Sequence, residues 1–401
     1  MIPTLYITRN GLLEPLGQSQ VFAYLRGLSR EYSITLITYE KADDWADEGR
    51  VAQAKAACAA HGIRWLPQKF RSWPKIIAPA LSMLRMSWLV LREVRSRRVE
   101  LIHARSYIPA AVALLVSRLT GTPFIFDMRA LWPEELITAG RLKRGSLLHQ
   151  AIVAIERNCL RRSAAVVSLT HAAVKYLKSE YPSELENQRV EVIPTCADLE
   201  RFDLTREKNV CGYVHGCIGT VLSGWFRTSW LAAWCGAVSQ SDHQATFDIV
   251  TRDDADLVRR SVDPSRLLGQ RLRITPRRPD EMPDAVSRHT VSVMFYAGGE
   301  VSELGRSPTR MAEVLGSGIP VVANEGVGDV ASIVRENRVG VILEGPEPLH
   351  IEKAIQELKE LLIEDGLPER CRETAEKLFS LEAGTDAYRR IYESILKKGY
   401  S

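Results

Sequence analysis

The sequence lacks a strong charge imbalance. Its 401 residues carry 53 Lys+Arg and 49 Asp+Glu, a formal net charge of +4. Such a small charge on a chain of this length does not indicate a nucleic-acid binder, and we expect no nucleic-acid partner. The 45% hydrophobic and 25% charged content also excludes a globally disordered chain. The length predicts two globular domains.

Cysteine pairs and long apolar runs are also missing. The seven cysteines are scattered and form no C-x-x-C motif, which argues against a disulfide framework or a zinc ribbon and favours a reducing compartment. Residues 1–25 lack the basic start and apolar core of a signal peptide. The longest apolar stretch, Ile76–Leu91, is interrupted by Pro79 and Arg85 and does not predict a membrane span. We expect a cytoplasmic protein, at most peripheral at the inner face of the membrane.

The charge that is present is unevenly distributed. Between Arg64 and Arg105 lie ten Lys/Arg and only two acids, a local charge of +8. Residues 69–98 within this stretch also contain Trp73 and Trp88. A basic amphipathic helix with Trp suits an anionic membrane surface, so peripheral membrane contact through residues 69–98 is one interpretation. A core helix with a solvated basic end is the other, and both stay open.

Short β-rich runs alternate with helical patterns almost throughout the chain. Because parallel strands need crossover helices, this alternation predicts an α/β fold with doubly wound parallel sheets. The pattern lapses around Glu200–Gly216 and then resumes, which indicates two Rossmann-like halves followed by a helix over Leu381–Lys397. The strand candidates are Thr4–Thr8, Ile34–Tyr39, Arg64–Pro67, Leu101–Ala104, Phe124–Met128, Ala165–Leu169, Val190–Ile193, Cys217–Leu222, Thr246–Thr251, Leu272–Thr275, Val291–Tyr296, Pro320–Ala323 and Val341–Leu343.

Functional residues in such sheets follow the carboxyl ends of the strands. The loop after the first strand carries Gly17, which lets backbone approach a ligand, although a plain turn with a Ser cap explains the loop equally simply. The loop has no G-x-G-x-x-G, so a standard dinucleotide site is not predicted. His103 and Asp127 end later strands. His103 either orients a sugar hydroxyl or is a core histidine, and Asp127 either acts on a hydroxyl or pairs with Arg105 or Arg129.

The segment after the strand candidate Val291–Tyr296 carries the strongest signal. Ser307 is predicted to cap a helix with Pro308 in its first turn, followed by Thr309. Free amides together with Arg306 and Arg310 at one helix start would cradle a phosphate. Glu313 falls one turn further on, within reach of a ribose diol. A capped surface helix with solvated arginines is the alternative.

These residues resemble the retaining glycosyltransferases of family 4, which have the GT-B fold of two Rossmann-like domains facing a central cleft. The family turn "A-x-G-x-P-V-V-A" reads LGSGIPVVA at 315–323, with Glu313 three residues before Gly316. The family segment "I-P-N-G-V-D-x-x-x-F" reads IPTCADLERF at 193–202. The Gly17 loop and the Phe379–Leu396 pattern also agree with the family.

The departures from the family bear on the mechanism. Gly305 stands where the first of two glutamates is usual, and Glu300 or Glu303 is a candidate replacement. After the first strand of the second half only Arg227 is present where an Arg and a Lys are common, so Arg306 and Arg310 are expected to share the phosphate role. Asp127 stands in place of a histidine that many members keep.

The resemblance implies transfer of a sugar, with retained configuration, from a nucleotide-diphosphate donor, UDP-linked first and GDP-linked second. It implies an acceptor domain over residues 1–205, a donor domain over 206–378 and a closing helix over 379–401 packing on the first domain. The acceptor would be a glycan or a lipid-linked sugar in polysaccharide or glycolipid assembly. No Asp-x-Asp metal motif follows a strand, so metal-independent chemistry without a cofactor is expected.

Specific residues follow from the same resemblance. Asp127, His103 and Arg310 are the catalytic candidates, and no residue is expected to bind metal. The donor-binding candidates are Gly17, Arg277 near the nucleobase, Gly305, Arg306, Ser307, Pro308, Thr309, Arg310 and Glu313.

Three alternatives remain. A nicotinamide oxidoreductase would use similar fold elements, but the missing glycine fingerprint argues against it. A non-catalytic nucleotide-sugar-binding relative would explain Gly305 and the absent Arg/Lys pair. A nucleotide-sugar epimerase of the same fold is the third.

Overall fold

The chain forms two compact units. The computed structural model describes residues 1–70, 78–204 and 212–398. One unit combines Met1–Pro194 with Leu381–Ser401, and the other is Thr195–Ser380. The family resemblance implied a division after residues 205 and 378, whereas the chain changes unit after Pro194 and again after Ser380.

The first unit is built on a seven-stranded parallel sheet. Its strand order is β3-β2-β1-β4-β5-β6-β7, so the winding direction reverses between β1 and β4. Every residue of β5 is buried, as expected of a parallel strand covered on both faces. The strands are β1 (Ile2–Ile7), β2 (Tyr32–Glu40), β3 (Arg64–Lys69), β4 (Leu101–Arg105), β5 (Phe124–Asp127), β6 (Ala165–Ser168) and β7 (Val190–Val192).

Helices connect these strands, and polar side chains begin several of them. The Ser146 side chain accepts a hydrogen bond from the His149 amide at the start of one helix. The Thr170 side chain accepts one from the Ala173 amide at the start of the next helix. A π-helical turn, Gln18–Phe22, continues the first helix. The helices are α1 (Pro15–Gly17), α2 (Ala23–Leu28), α3 (Ala42–Ala46), α4 (Glu48–Ala60), α5 (Ala78–Arg97), α6 (Tyr107–Thr120), α7 (Trp132–Thr138), α8 (Leu147–Arg162), α9 (His171–Glu180) and α10 (Pro182–Leu185).

The second unit repeats this plan on a six-stranded parallel sheet. Its order is β10-β9-β8-β11-β12-β13, with the reversal between β8 and β11. The predicted strand Cys217–Leu222 is wrong in its position, because the strand ends at Ile218. Gly219 has φ +92°, which lies outside the range of a β-strand. The strands are β8 (Val214–Ile218), β9 (Thr246–Val250), β10 (Leu272–Thr275), β11 (Val291–Met294), β12 (Val321–Asn324) and β13 (Gly340–Leu343).

One apolar core holds the second unit together. It includes the fully buried Trp234, Phe247 and Phe295, which pack between the sheet and its helices. Asp254 caps the helix Ala255–Val262 by accepting a hydrogen bond from the Leu257 amide. The helices are α11 (Thr228–Ser241), α12 (Ala255–Val262), α13 (Met282–Val286), α14 (Thr309–Gly316), α15 (Val330–Asn337), α16 (Pro348–Leu362) and α17 (Leu367–Phe379), with 3₁₀ turns at Leu199–Arg201, Gly269–Arg271 and Val301–Gly305.

The last helix, α18 (Leu381–Lys398), belongs to the first unit. Its Tyr388 and Tyr392 are both buried, and their rings lie against Tyr24 and Tyr32 respectively. The chain therefore returns to its first sheet after completing the second.

The basic segment coincides with helix α5. The basic helix predicted within residues 69–98 is described from Ala78 onward, and residues 71–77, including Trp73, lie outside the described residues. Across the described ranges, no helix combines the length and hydropathy needed to cross a bilayer.

Candidate functional site

The two sheets each have a point where the winding reverses, and ligands of open α/β sheets bind beyond the carboxyl ends of the strands at that point. In the second unit this places the segments after β8 and β11 side by side, with α14 beginning next to them. In the first unit it selects the segments after β1 and β4.

Arg310 is the best-positioned cation at the edge of the second sheet. Its guanidinium packs against Gly219, where an added Cβ would lie 1.7 Å from the Arg310 Cζ. The same guanidinium lies near the buried side chain of Tyr296, where it opposes the rise in the tyrosine pKa that burial causes. A glycine directly after β8 thus leaves the space that Arg310 fills. The guanidinium is fixed beside the carboxyl ends of β8 and β11, where a phosphate would sit.

Glu313 lies on the same helix, three residues after Arg310, and is half-buried. Burial raises the pKa of its carboxyl to about 7, while the nearby Arg310 and Arg201 oppose that rise. A carboxylate with a pKa close to neutral is typical of functional sites. It can accept hydrogen bonds from paired hydroxyls once it is ionised.

Arg306 is held by two neighbours. Its guanidinium donates to the carboxylate of Glu303, which is 1% exposed, and stacks over Trp225 with 4.6 Å to the ring centroid. The Arg306 side chain stays 23% exposed. Of the two candidate replacements for the first glutamate, Glu300 is exposed, whereas Glu303 serves to orient Arg306.

The predicted cap of this helix is wrong. Helix α14 begins at Thr309, and Pro308 precedes it in an extended conformation. The Ser307 hydroxyl instead accepts a hydrogen bond from the Thr195 amide, at 3.0 Å. The serine is taken by a segment more than a hundred residues earlier in the chain, so it does not cap the helix. Gly305 ends the preceding 3₁₀ turn and is buried.

Two further arginines lie near this edge. Arg227 donates to the carbonyls of Tyr296 at 3.2 Å and Gly298 at 2.9 Å, so it fastens the segment after β11. Arg277 follows β10 and is half-buried. Because β9 and β8 lie between β10 and β11, Arg277 is further along the edge than Arg306 and Arg310.

In the first unit, the loop after β1 is fastened to its own sheet. The fully buried Glu40 accepts from the amides of Leu12 at 2.8 Å and Leu13 at 3.1 Å. A Cβ on Gly17 would lie 1.9 Å from the carbonyl oxygen of Gly11. Gly17 therefore permits a close approach of two parts of this loop, which is the role the structure shows for it.

Asp127 and His103 lie inside a buried polar network. His103 donates from Nε2 to Asp127 Oδ2 at 3.3 Å, and the Tyr392 hydroxyl donates to His103 Nδ1 at 2.9 Å. The Tyr388 hydroxyl donates to the same Asp127 oxygen at 3.1 Å. These assignments follow because burial lowers the pKa of His103 and keeps its ring neutral, while Arg129 helps to hold the pKa of Asp127 below its usual value.

This burial bears on the catalytic assignment of both residues, which stays a prediction. Asp127 is 0% exposed and His103 is 1% exposed, so both side chains are enclosed by the protein in this arrangement. Their alternative roles, a core histidine and an ion-paired aspartate, describe the contacts that the structure shows. The network joins α18 to β4 and β5.

In the part of the chain that the structure describes, neither a metal-binding cluster nor the large groove of the second unit adds to this site. Within the described ranges, no group of three or more His, Cys, Asp and Glu side chains is arranged to hold a metal ion. A groove of about 750 Å³ is lined by Tyr213, Gln244, Thr290 and Pro320. These residues precede β8, β9, β11 and β12, so the groove opens at the amino ends of the strands, away from Arg310.

Each unit is a parallel sheet with flanking helices, and together the two units have the architecture of the GT-B fold. Residues 17–201 match the model of Glycosyltransferase Family 4 and form a domain of that family. The resemblance read from the sequence is confirmed over these residues, which carry a glycosyltransferase family domain. Among curated proteins, none matches the sequence.

Solved structures of the same fold cover nearly the whole chain. Sucrose-phosphate synthase from Thermosynechococcus elongatus is 13% identical with a TM-score of 0.69, over 99% of this chain and 100% of the other. HepE of Anabaena, in complex with UDP-glucose, is 15% identical with a TM-score of 0.64, over 98% and 99%. The lipopolysaccharide outer core galactosyltransferase WaaB is 11% identical with a TM-score of 0.65, over 98% and 99%.

Sequence reasoning missed three contributors to these clusters. Gly219 gave no sign of its contact with Arg310, although a glycine directly after a strand is a usable signal of close approach. Trp225 and Glu303 were not assigned to Arg306. Glu303 had the i, i+3 spacing of a helical ion pair, which offered a hint.

Proposed function

We propose that the protein transfers a sugar, with retained anomeric configuration, from a nucleotide-diphosphate donor to an acceptor hydroxyl. A UDP-linked sugar is the first choice of donor and a GDP-linked sugar the second. The acceptor is a glycan or a lipid-linked sugar in polysaccharide or glycolipid assembly.

The placement of Arg310 against Gly219 carries this proposal. Glycosyl transfer builds positive charge on the sugar and negative charge on the leaving diphosphate. A guanidinium held at the carboxyl ends of β8 and β11 stabilises that negative charge without having to reorganise. One preorganised donor of this kind lowers the activation free energy by about 3 kcal/mol. Arg306, fixed by Glu303, adds a second cation, and the amides of Thr309 and Arg310 begin the helix.

Glu313 supplies the nucleoside contact in this proposal. Its carboxyl lies one helical turn beyond Arg310, which suits a ribose joined to the diphosphate. Ribose hydroxyls donate hydrogen bonds to a carboxyl group, and these bonds are stronger when the carboxyl group is ionised. Donor binding would then draw a proton from the half-buried Glu313 and favour its ionised form. Arg277, further along the edge, is proposed to lie near the nucleobase.

The choice of UDP is supported by similar folds. Structures of Anabaena HepE hold UDP, UDP with glucose, and UDP-glucose. We propose that leaving-group stabilisation by arginines needs no metal ion and no cofactor here.

Helix α5 supports peripheral membrane contact on the acceptor side. Leu84 is 66% and Trp88 is 63% exposed, and the Arg92 guanidinium stacks over Trp88 at 5.1 Å. Arg95 is exposed one turn further on. This stripe of apolar and basic side chains suits the cytoplasmic face of an anionic membrane.

The membrane proposal is tested by sedimentation with vesicles of anionic and of neutral phospholipid. We expect the wild type to bind only the anionic vesicles, and the triple variant Arg95→Gln, Arg97→Gln, Arg98→Gln to bind them at least several-fold more weakly. A wild type that binds neither vesicle contradicts membrane contact.

The reaction is tested by proton NMR of the protein with α-linked UDP-glucose, UDP-galactose, UDP-N-acetylglucosamine and GDP-mannose. A retaining transferase gives an α-linked product with an acceptor and, during slow hydrolysis without one, α-sugar as the first free anomer. Free sugar with an altered ring configuration indicates an epimerase. Binding of UDP without any turnover indicates a non-catalytic relative.

A further inference from the structure

The buried network of the first unit carries more positive than negative charge. Arg105 Nη1 lies 3.7 Å from Asp127 Oδ2, and Arg129 Nη1 lies 3.8 Å from Asp127 Oδ1. The two arginine side chains are 5% and 10% exposed, and the aspartate is fully buried. His103 is neutral. Among the described residues, two guanidinium groups thus share the single carboxylate of Asp127.

This excess of buried positive charge is energetically unfavourable unless an anion balances it. Removing a cation from water is costly when no opposite charge accompanies it. Tyr388 and Gln20 give Arg129 only neutral acceptors, at 3.3 and 3.4 Å. Its Nε is buried and has no hydrogen-bond partner among the described residues. The positive charge and the Nε–H donor of Arg129 are therefore available to a ligand group.

The location of the two arginines fits a ligand site. Arg105 ends β4, and Arg129 follows β5, so both lie at the carboxyl edge of the first sheet, and β4 is one of the two strands at its reversal point. Ser106 has φ +78° and Arg129 has φ +62°, and the Ser106 amide donates to the Asp127 carbonyl at 2.7 Å. Two non-glycine residues in this left-handed region are uncommon, and such strain clusters at functional sites.

We propose that Arg105 and Arg129 bind an oxyanion, a phosphate or carboxylate group, carried by the acceptor. This inference rests on the proposed function, because it names the chemistry of the acceptor in that reaction. The planar guanidinium groups match such an anion geometrically. Asp127, His103 and Tyr388 are positioning residues that hold Arg129 in place, and the bound anion would balance the second cation.

The test measures thermal unfolding in sodium phosphate, sodium acetate and sodium chloride at equal ionic strength. Phosphate, the probe that carries the charge of the acceptor group, is expected to raise the melting temperature of the wild type by about 3 °C over chloride. Acetate tests the carboxylate form. We expect Arg129→Gln to remove the phosphate shift. Arg118→Gln, which changes an exposed arginine of the same unit, should keep it.

Arg310→Gln separates this site from the donor site, because the donor site would also attract phosphate. If the phosphate shift is lost in Arg310→Gln and kept in Arg129→Gln, the anion binds at the donor site and the inference is overturned. A purely structural Arg129 would lower the melting temperature equally in chloride and phosphate and leave the shift intact, which also overturns it.

Two further measurements guard against a variant that does not fold. Arg129→Lys keeps the charge but loses the planar fork, and we expect a reduced phosphate shift. In the wild type saturated with UDP, phosphorus NMR should still show broadening of added inorganic phosphate, and no broadening overturns the inference. Calorimetric titration with UDP on the same sample distinguishes the two ideas, since absent UDP binding contradicts the proposed function instead.

Discussion

The carboxyl edges of the two sheets carry similar residue types in different environments. In the first unit, Asp127 and His103 are enclosed with two tyrosines of α18. In the second unit, Arg310 and Glu313 are only half-buried. The first cluster is a network of enclosed groups that fasten a helix, whereas the second leaves charged groups within reach of solvent. Burial, rather than residue type, separates Asp127 and His103, which position their neighbours, from Arg310 and Glu313, which a ligand in solution can reach.

The comparison predicts that the largest loss of stability follows a change in the enclosed cluster. Asp127→Asn leaves Arg105 and Arg129 without their carboxylate. We expect the free energy of unfolding of the first unit to fall by about 3–5 kcal/mol in urea denaturation, because breaking a buried ion pair strands the partner charge. Glu393→Gln, in an exposed pair with Lys397, is the matched control and should change it by less than about 0.5 kcal/mol. A loss below about 1 kcal/mol for Asp127→Asn would show that the network is not held by charge.

The open cluster should lose binding when its geometry is disturbed. In Gly219→Ala the new Cβ displaces the Arg310 guanidinium, and the positive φ adds strain. We expect UDP affinity in calorimetry to fall by between about ten- and a hundred-fold. This range corresponds to the free energy of losing one hydrogen bond to a charged group. Gly224→Ala lies in the same loop, with nothing within 4 Å of its Cβ, and should bind UDP as the wild type does. Equal affinity in both variants would separate Arg310 from nucleotide binding.

Glu313 should make nucleotide binding depend on pH. Its pKa is raised to about 7 in the free protein, so at pH 6 the carboxyl is mostly protonated and binding must release that proton. UDP affinity is therefore expected to rise by about ten-fold from pH 6 to pH 8. Calorimetry in buffers of different ionisation enthalpy reports the released proton directly.

Glu313→Gln is the control for this pH dependence, because the phosphate of UDP also titrates in this range. The variant should retain only the part that belongs to the ligand. If wild type and Glu313→Gln show the same pH profile, Glu313 does not contact the nucleotide.

The smallest effect is expected from one hydroxyl of the enclosed cluster. Tyr388→Phe removes a donor to Asp127 and an acceptor for Arg129. We expect the first unit to lose about 1–2 kcal/mol of stability while UDP affinity stays unchanged. Tyr213→Phe changes a tyrosine that is 42% exposed and should alter neither quantity. A change in UDP affinity with Tyr388→Phe would contradict the division between the two clusters.

The thirteen strands were predictable because buried parallel strands read as short apolar runs between helical patterns. No local sequence pattern indicates the order of the strands in the sheets. The end of β8 was predicted too late in the chain because Val221 and Leu222 continue the apolar run past Gly219. The positive φ of that glycine stops the strand, and no run of hydrophobic residues reports a backbone angle.

The placement of Arg306 and Arg310 around the start of α14 was predictable, because charged residues and a helix start coincide there in the sequence. A contact was not predictable where the partner is distant along the chain. Asp127 meets Tyr388 across 261 residues and His103 meets Tyr392 across 289, so burial of both residues could not be inferred locally. Ser307 was assigned as a cap from its Ser-Pro spacing, but Thr195 takes its hydroxyl.

Calorimetric titration of UDP into the wild type, Arg310→Gln and Arg335→Gln tests the central claim most directly. Arg335 is an exposed arginine of the same unit that pairs with Glu325 and lies on α15. The account predicts one UDP site in the wild type, the same affinity in Arg335→Gln and at least ten-fold weaker binding in Arg310→Gln. Equal affinity in all three proteins, or no binding of UDP or GDP to the wild type, would contradict it.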